Sequence, residues 1–290
     1  MSGGHLRVLH PGALSTVQDL GRRGWAHLGV PRSGALDRAA HLLANRLVGN
    51  PATAATVETT LTGIAVRLSR AATIAVTGAW AAVTVDDRPV PWAAPVAVPV
   101  GARIEIGPAQ RGVRSYLAVG GGLTPPPVLG SRSTDLLSGL GPDPLAVGTR
   151  VPLGDDPGVP APVDVAPTAL IPDELWLRLH PGPRADWFTE DALATLLRAR
   201  YRVSGQSDRV GVRLEGPRLT RRITTELRSE PVVLGAVQVP PAGQPLVFLA
   251  DHPTLGGYPV VGVVHPDDLD LLAQARPGTV VRFRSVPEPT

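Results

Sequence analysis

The chain has 290 residues, with 28 basic and 25 acidic side chains and a formal net charge of +3. This length exceeds the usual size of one domain, so we expect two domains that each bury a substantial core. Cysteine is absent, and every basic side chain is arginine. These absences exclude disulfides, thiolate nucleophiles, cysteine-bound zinc and any lysine nucleophile or lysine-bound cofactor on this chain.

The charge distribution argues against nucleic acid and membrane partners. The sequence pI is 10.1, but acidic and basic residues are mixed along the chain without a basic run. The longest apolar stretch, residues 71–85, is interrupted by Thr73, Thr77 and Gly78, and it is shorter than the ~20 residues that span a bilayer. The first residues do not resemble a secretion signal. We therefore expect a cytoplasmic protein.

Short valine-rich segments between turn residues predict a mainly β fold with a few helices. The 32 glycines and 32 prolines divide the chain into segments with alternating or fully apolar patterns. Such spacing is typical of barrels and sandwiches. The predicted strands are residues 6–9, 64–68, 73–77, 82–85, 103–106, 115–119, 232–239, 245–250, 260–264 and 279–284.

Three segments have helical spacing: residues 37–48, with Ser33 as the candidate N-cap, residues 189–201 and residues 266–275. The proline-rich stretch 156–172 cannot form a regular strand ladder, because proline lacks a donor and fixes φ. We interpret it as a linker between an N-terminal β-barrel domain, residues 1–155, and a C-terminal β-barrel domain, residues 173–290.

A short sequence repeat is relevant to the relation between these two domains. Residues 6–12 recur in part as residues 177–182, which suggests two domains of related build. In a chain this rich in proline and glycine, chance explains the repeat of a strand that ends in Pro-Gly equally well.

The first polar constellation lies between Thr16 and Asn50. Glycines at 21, 24 and 34 would let backbone amides approach a ligand closely. Five side chains there are candidates for the site, although a turn network that only caps backbone amides is an alternative reading. These candidates are Gln18, Asp19, Arg22, Ser33 and Asp37.

The second constellation follows a glycine run at 120–122 and presents Ser131, Ser133 and Asp135 as candidate ligands for an anion or an amide. It does not match the Gly-x-Ser-x-Gly pattern of serine hydrolases, and it lacks the Gly-Lys pair of a phosphate loop. A stand-alone serine hydrolase is therefore disfavoured.

The third constellation lies in the C-terminal half and is rich in amides. An amide side chain both donates and accepts hydrogen bonds, which suits recognition of a small amide or carboxylate, although structural amides between barrel strands fit equally well. Its candidates are Arg209, Gln238, Gln244, Asp251, Thr254, Gly256, Gly257 and Tyr258.

The seven histidines form no His-x-His or His-Glu-x-x-His pattern, so no metal site is expected. His252, beside Asp251, is the best histidine candidate for acid-base work. We interpret most of the others as surface or capping residues.

Together these blocks resemble one family, known as the 5-oxoprolinase C subunit, allophanate hydrolase subunit 2 or biotin-dependent carboxyltransferase-like protein. The likeness covers nearly the whole chain. One departure is the segment Asp251-His-Pro-Thr-Leu-Gly-Gly-Tyr-Pro259, where the family usually has Asp-x-Gln-Thr-Thr-Gly-Gly-Tyr-Pro. The most specific matches are Thr16-Val-Gln-Asp-Leu-Gly-Arg22, Gly29-Val-Pro-Arg-Ser-Gly-Ala-Leu-Asp37, Ala44-Asn-Arg-Leu-Val-Gly-Asn50, Gly130-Ser-Arg-Ser-Thr-Asp135 and Ser207-Asp-Arg-Val-Gly211.

The resemblance implies two cyclophilin-like β-barrel domains that work with a sister B subunit (allophanate hydrolase subunit 1, KipI-like), often together with an A subunit. Such a complex opens the lactam of 5-oxo-L-proline to L-glutamate using ATP, and related domains in urea carboxylase transfer a carboxyl group from biotin to urea. With no lysine on this chain, no cofactor is expected to be bound covalently here, and any biotin would be carried on another chain.

These residues suggest a mechanism for a small amide or lactam. Arg22 or Arg209 would bind a substrate carboxylate, and Gln238 with the glycine-loop amides would stabilise a developing oxyanion. Asp19 or Asp251 would accept a proton if burial raises its pKa. Two alternatives remain open: a regulatory Kip-type protein that sequesters a sister subunit without catalysis, and an isolated ligand-binding barrel.

Overall fold

The computed structural model describes residues 4–155, 158–168 and 170–286. Within these ranges the chain forms twenty strands and three α-helices and divides into two compact units. Unit 1 contains residues 1–23, 33–135 and 139–171, and unit 2 contains residues 24–32, 136–138 and 172–290. The predicted mainly β fold with a few helices is confirmed.

Unit 1 consists of two sheets and one helix. The six-stranded sheet has the order β11-β1-β4-β9-β6-β7, and the five-stranded sheet has the order β2-β3-β10-β5-β8. The apolar core of unit 1 draws side chains from both sheets. The strands are β1 (His5–His10), β2 (Leu14–Gln18), β3 (Thr56–Thr60), β4 (Ile64–Leu68), β5 (Ala72–Trp80), β6 (Val83–Val85), β7 (Arg88–Val90), β8 (Val96–Val98), β9 (Arg103–Ile106), β10 (Arg111–Val119) and β11 (Arg150–Pro152).

The helix of unit 1 is α1 (Arg38–Leu47), and it begins at a different cap from the one predicted. The Asp37 side chain accepts a hydrogen bond from the Ala40 N–H at 2.9 Å, so Asp37 is the N-cap and Ser33 is not. Small residues on the inner face of α1, including Ala44, allow close packing against Tyr116 of β10.

Unit 2 is built around a closed barrel with the order β12-β19-β16-β17-β14-β13-β20. The barrel closes through parallel pairing of β12 with β20, in which Leu177 lies opposite Phe283. Its helices begin at the Thr189 and His265 caps. The elements are β12 (Glu174–Pro181), α2 (Glu190–Arg198), β13 (Tyr201–Val203), β14 (Gly211–Glu215), β15 (Glu230–Pro231), β16 (Ala236–Gln238), β17 (Leu246–Phe248), β18 (Leu255–Gly256), β19 (Val260–Val264), α3 (Pro266–Ala273) and β20 (Val280–Ser285).

Some strands lie at their predicted bounds, whereas others were missed. β4, β9 and β19 lie at their predicted bounds. β2 and β3 were missed because their sequences, Leu-Ser-Thr-Val-Gln and Thr-Val-Glu-Thr-Thr, carry polar residues on buried positions. β2 ends at Gln18, one of the candidate site residues.

Residues 158–168 of the proline-rich stretch pack against the rest of unit 1. The Ala161 N–H donates to the Leu47 carbonyl at 3.1 Å, and the Ala166 N–H donates to the Ala93 carbonyl at 2.7 Å. The limits of the linker and domains stay a prediction, and residues 156, 157 and 169 lie outside the described residues. No helix in the described ranges is both long and apolar enough to cross a bilayer.

Two glycines with nearly equal backbone angles provide a matched stability test. Gly63 has φ 75° and Gly101 has φ 78°; a Cβ at Gly63 would collide with the Ile106 carbonyl, whereas a Cβ at Gly101 meets nothing within 4 Å. We expect Gly101→Ala to lower the free energy of unfolding by about 1–2 kcal/mol through backbone strain alone. Gly63→Ala should lower it by more than about 4 kcal/mol, because a strand must also shift. Equal losses in urea denaturation would contradict the close approach.

Candidate functional site

The centre of the site in unit 1 is the carboxylate of Asp19, which directly follows β2. Its Oδ1 accepts hydrogen bonds from the hydroxyls of Ser131 and Ser133, both at 2.6 Å, and from the Gly21 N–H at 2.8 Å. Its Oδ2 accepts from the Arg132 N–H at 2.6 Å. We call Asp19, Ser131, Arg132 and Ser133 the Asp19 cluster. It brings the first two constellations of the sequence together.

Burial alone would raise the pKa of Asp19, but the hydrogen bonds from Ser131, Ser133, Arg132 and Gly21 outweigh burial and hold this pKa below its ordinary value of 3.8. The condition set for Asp19 as a proton acceptor, a pKa raised by burial, is therefore not met. An ionised carboxylate with four donors is suited to fixing a loop rather than to taking up a proton. The part of Asp19 in the reaction stays a prediction.

Gln18 lies next to the Asp19 cluster and is fully buried. Its Nε2 donates to the Thr134 carbonyl and to Thr16 Oγ1, both at 3.0 Å. Its Oε1 is buried without a hydrogen-bond partner among the described residues, and the same is true of Thr134 Oγ1. We call these two atoms the amide site.

Ser33 supports the amide site from a strained backbone. Its hydroxyl donates to the Thr134 carbonyl at 3.0 Å, the same acceptor that Gln18 uses. Its φ is 52°, in the left-handed region that non-glycine residues seldom adopt. Strain of this kind is retained where the surrounding contacts require one side-chain position.

The remaining candidates of unit 1 have structural contacts. Arg22 is buried, and its Nη2 donates to the Ser133 carbonyl. Asp37 caps α1, and its N–H donates to the Tyr116 hydroxyl at 2.8 Å. Asp135 is also buried, and its backbone N–H donates to the Leu140 carbonyl at 2.9 Å. Ser131 and Ser133 contact Asp19 directly, as described above.

Sequence reasoning missed the buried pair formed by Glu58 and Tyr116. The Tyr116 hydroxyl donates to Glu58 Oε2 at 2.7 Å, and the Leu36 N–H donates to the same oxygen at 3.1 Å. Burial, followed by the nearby Glu58 and Asp37 charges, raises the pKa of Tyr116 well above 10. Tyr116 is therefore a neutral donor. Alternation along β3 places Glu58 on the face opposite Val57 of the apolar core, so the strand pattern carried no signal that Glu58 is buried.

His41 is fully buried, so it is an exception to the interpretation of most histidines as surface or capping residues. Its Nδ1 lies 2.9 Å from Thr56 Oγ1, and its Nε2 lies 3.3 Å from Asn45 Nδ2. Burial lowers the pKa of His41, so the ring is neutral near pH 7. The spacing of His41 and Asn45 by four residues was the available signal, because it places both on one face of α1.

In unit 2 the two charged candidates bind each other. Arg209 Nε donates to Asp251 Oδ2 at 2.9 Å, and Nη2 donates to Oδ1 at 3.0 Å. Oδ2 also accepts from the Leu136 N–H at 3.2 Å. Both side chains are buried, with 1% of Arg209 and 0% of Asp251 exposed. Because the Arg209 guanidinium already binds the Asp251 carboxylate, it is poorly placed to bind a carboxylate of the substrate.

Gln238 and the Gly-Gly turn of unit 2 form a separate arrangement. Gln238 Nε2 donates to the Tyr258 carbonyl at 2.9 Å, and a Cβ on Gly256 would lie 2.5 Å from that nitrogen. A side chain at Gly256 would therefore displace the end of the Gln238 amide. Gln244 lies elsewhere, with both ends of its amide bound to the Gly216 backbone at 3.0 Å.

The loop around His252 combines buried and exposed side chains. His252 is buried, with Nδ1 2.7 Å from the Pro253 carbonyl oxygen. The Thr254 carbonyl accepts from the Val232 N–H at 3.0 Å. Gly257 is exposed, and 44% of Tyr258 is exposed, with the Arg221 guanidinium 5.9 Å from its ring centroid. In the described ranges, no three His, Asp or Glu side chains are grouped to hold a metal ion.

The lowered pKa of Asp19 predicts a pH-dependent stability. A depressed folded-state pKa stabilises the fold above the unfolded-state pKa, and this contribution is lost as pH falls through the folded-state pKa. We expect Asp19→Asn to lower the free energy of unfolding by about 2–4 kcal/mol at pH 7. The difference from the wild type should shrink below about pH 4.

Urea denaturation at pH 7 and at low pH measures this difference. Asp87→Asn is the control, because the Asp87 side chain is 84% exposed and pairs with Arg103 at the surface, where such pairs contribute about 0–1 kcal/mol. A loss for Asp19→Asn that is the same at both pH values would refute the ionised, hydrogen-bonded state of Asp19.

The buried pair in unit 2 predicts strong coupling between its members. Arg209→Met leaves Asp251 buried and without its main partner, so we expect a loss of about 3–5 kcal/mol in the free energy of unfolding. Arg209→Met combined with Asp251→Leu removes both charges and should be more stable than Arg209→Met alone. If the double variant loses the sum of the two single losses, the pair is not coupled.

Comparison with known proteins identifies the family. Residues 28–285 match the family "Carboxyltransferase domain, subdomain A and B". The chain is 37% identical over 286 residues to the 5-oxoprolinase C subunit of Escherichia coli K12, covering 96% of this chain and 90% of that protein. It is 33% identical to urea amidolyase of Lachancea kluyveri, covering 95% of this chain and 16% of that enzyme.

Solved structures agree with this assignment. TTHA0988 superimposes with a TM-score of 0.88 at 41% identity, covering 97% of this chain and 55% of the TTHA0988 chain. The Kluyveromyces lactis urea carboxylase superimposes with a TM-score of 0.91 at 28% identity, covering 99% of this chain and 28% of that enzyme. The chain thus spans just over half of TTHA0988 and a smaller part of the urea carboxylase. It belongs to the carboxyltransferase domain family.

Proposed function

We propose that this chain is the amide-binding subunit of an ATP-dependent enzyme that opens 5-oxo-L-proline to L-glutamate. The support is the similarity to the 5-oxoprolinase C subunit over 96% of the chain. Because this relative is named as one subunit of an enzyme, we expect the chain to act in a complex. Its proposed partners are the sister B subunit and the A subunit. The cytoplasm is the expected location.

The observation that carries this proposal is the amide site. A lactam offers an N–H donor beside a carbonyl acceptor; Gln18 Oε1 is an unpaired acceptor and Thr134 Oγ1 an unpaired hydroxyl that can donate, and the Gln18 amide is tied to the Thr134 carbonyl. Leaving buried polar atoms such as these unpaired disfavours the fold by about 1–3 kcal/mol each. A bound lactam would satisfy both atoms at once, and the buried surroundings strengthen both hydrogen bonds.

The chemistry of this chain is then binding and charge stabilisation. Thr134 Oγ1 donates to the carbonyl oxygen as negative charge develops on it, which in comparable sites is worth about 3 kcal/mol per donor. Gln238, the donor expected from the sequence, is bound instead to the Tyr258 carbonyl. Because the chain contains no lysine, a phosphate-loop lysine for ATP or a biotin-bearing lysine would lie on another chain.

Urea-like amides fit the same site in part, since urea also presents an N–H beside a carbonyl, and urea amidolyase is among the relatives. A second candidate function is a regulatory protein of the Kip type that binds a sister subunit without catalysis. The observation that favours it is exposed apolar surface on the loop of unit 2, where Leu255 is 55% exposed and Tyr258 is 44% exposed.

The test is to co-express this chain with the A and B subunits of 5-oxoprolinase and to measure ATP hydrolysis that depends on 5-oxo-L-proline, together with glutamate formation. Thr134→Val is the informative variant because valine keeps the shape and removes only the hydroxyl. We expect kcat to fall about 100-fold. The melting temperature should stay equal or rise, because a buried hydroxyl without a partner is lost.

The matched control is Thr77→Val, since Thr77 Oγ1 donates to the Ala40 carbonyl at 2.7 Å in the core of unit 1. That variant should lose about 1 kcal/mol of stability and keep its turnover. A second control, Gln244→Met, should leave KM unchanged. A stable complex of all three subunits without turnover would favour the regulatory function, and full activity in Thr134→Val would remove the amide site from the reaction.

A further inference from the structure

Arg132 is the middle residue of the loop 131–133, which we call the serine loop and which the Asp19 carboxylate holds in place. It is flanked by Ser131 and Ser133, whose hydroxyls both donate to Asp19 Oδ1 at 2.6 Å. Its own N–H donates to Asp19 Oδ2 at 2.6 Å. Three consecutive residues are therefore held by one carboxylate, so the point from which the Arg132 side chain departs has little freedom.

The guanidinium of Arg132, in contrast, is not used by the fold. The side chain is half-buried, and it makes no hydrogen bond or ion pair with any residue that the structure describes. Its Nε is buried without a partner. A guanidinium presents two parallel donors that match a carboxylate. The backbone of Arg132 is thus pre-organised while its charge is available.

Arg22 and Arg209, the two arginines that the sequence suggested for binding a substrate carboxylate, already make hydrogen bonds within the chain. Arg209 forms its two-pronged contact with Asp251. Arg22 is 2% exposed, and its Nη2 donates to the Ser133 carbonyl. A carboxylate that entered either place would have to displace a contact of the chain itself. A carboxylate that binds the Arg132 guanidinium would displace no contact with a described residue.

The place of Arg132 in the chain keeps it close to the amide site. The Ser133 N–H donates to Ser131 Oγ at 3.0 Å, which marks a turn at Arg132. The Arg132 N–H donates to Asp19, the residue after Gln18, and Thr134 follows Arg132 by two residues. Two residues of chain span at most about 7 Å. That separation suits a small ring whose amide and carboxylate lie at neighbouring positions.

We propose that Arg132 binds the carboxylate of the substrate, while the lactam of the same molecule occupies the amide site of Gln18 and Thr134. This inference rests on the proposed function and narrows its substrate class to small lactams that carry a carboxylate next to the amide nitrogen. Urea has no such group. Arg132 is therefore the residue that separates 5-oxo-L-proline from neutral amides.

The experiment uses the co-expressed complex and two probes, 5-oxo-L-proline and 2-pyrrolidinone, which is the same ring without the carboxylate. Arg132→Gln should raise the KM for 5-oxo-L-proline by about 10- to 100-fold, with a smaller change in kcat. The inhibition constant of 2-pyrrolidinone should stay within about twofold of the wild-type value, because that ligand does not reach Arg132. Arg132→Lys should recover part of the affinity, since it keeps the charge but not the fork.

Arg67→Gln is the matched control, because Arg67 is an exposed arginine on β4 of the same unit, and it should leave both constants unchanged. An unchanged KM in Arg132→Gln, in a wild-type complex that turns over 5-oxo-L-proline, overturns the assignment of Arg132 and leaves the proposed function standing. An equal loss of affinity for both probes assigns Arg132 a merely structural role and also overturns the inference. A wild-type complex that forms but does not turn over overturns the proposed function and this inference together.

Discussion

The arrangement of unit 1 depends on one buried carboxylate that stays ionised. Among the residues that the structure describes, no cation contacts the Asp19 carboxylate; its charge is balanced by two hydroxyls and two backbone N–H groups. Each of these donors belongs to a segment that would otherwise be an irregular loop. Because the charge is costly to bury unless all the donors are present, the loops reach their positions together or not at all.

Unit 2 balances its buried carboxylate in another way. Asp251 has a full opposite charge from Arg209, in a geometry with two parallel hydrogen bonds. Such a pair is self-sufficient, and its members have little capacity left for a ligand. The dipolar contacts around Asp19 leave the neighbouring Arg132 guanidinium and Gln18 Oε1 unused by the fold. The difference explains why we place substrate recognition beside Asp19.

How much the sequence predicts depends on whether a pattern repeats. β9 alternates between more and less buried residues and β4 is a nearly continuous apolar run, and the bounds of both were predictable. The contact between Asp19 and the serine loop was not predictable, because tertiary packing rather than spacing in the chain brings Asp19 and Ser131 together. Glycine-rich motifs therefore identified the family and both loops, but not which side chains bind one another.

The same limit applies to three other side chains. Arg209 was a candidate for the substrate carboxylate and Asp251 for the proton, because a sequence shows charge without showing its partner. His41 is an exception to the interpretation of most histidines as surface or capping residues, and its Nδ1 lies next to the buried Thr56 hydroxyl. In each case the missing information was the partner across the core.

The parallel pairing of β12 with β20 has a consequence for how unit 2 is made. These strands are far apart in the chain, yet Glu174 lies opposite Val280 and Leu179 lies opposite Ser285. Hydrogen bonding along β12 therefore stays incomplete until β20 has left the ribosome. Contacts between such distant segments slow folding, so the nascent barrel passes through a period with an open edge that a chaperone or a newly made partner would be able to cover.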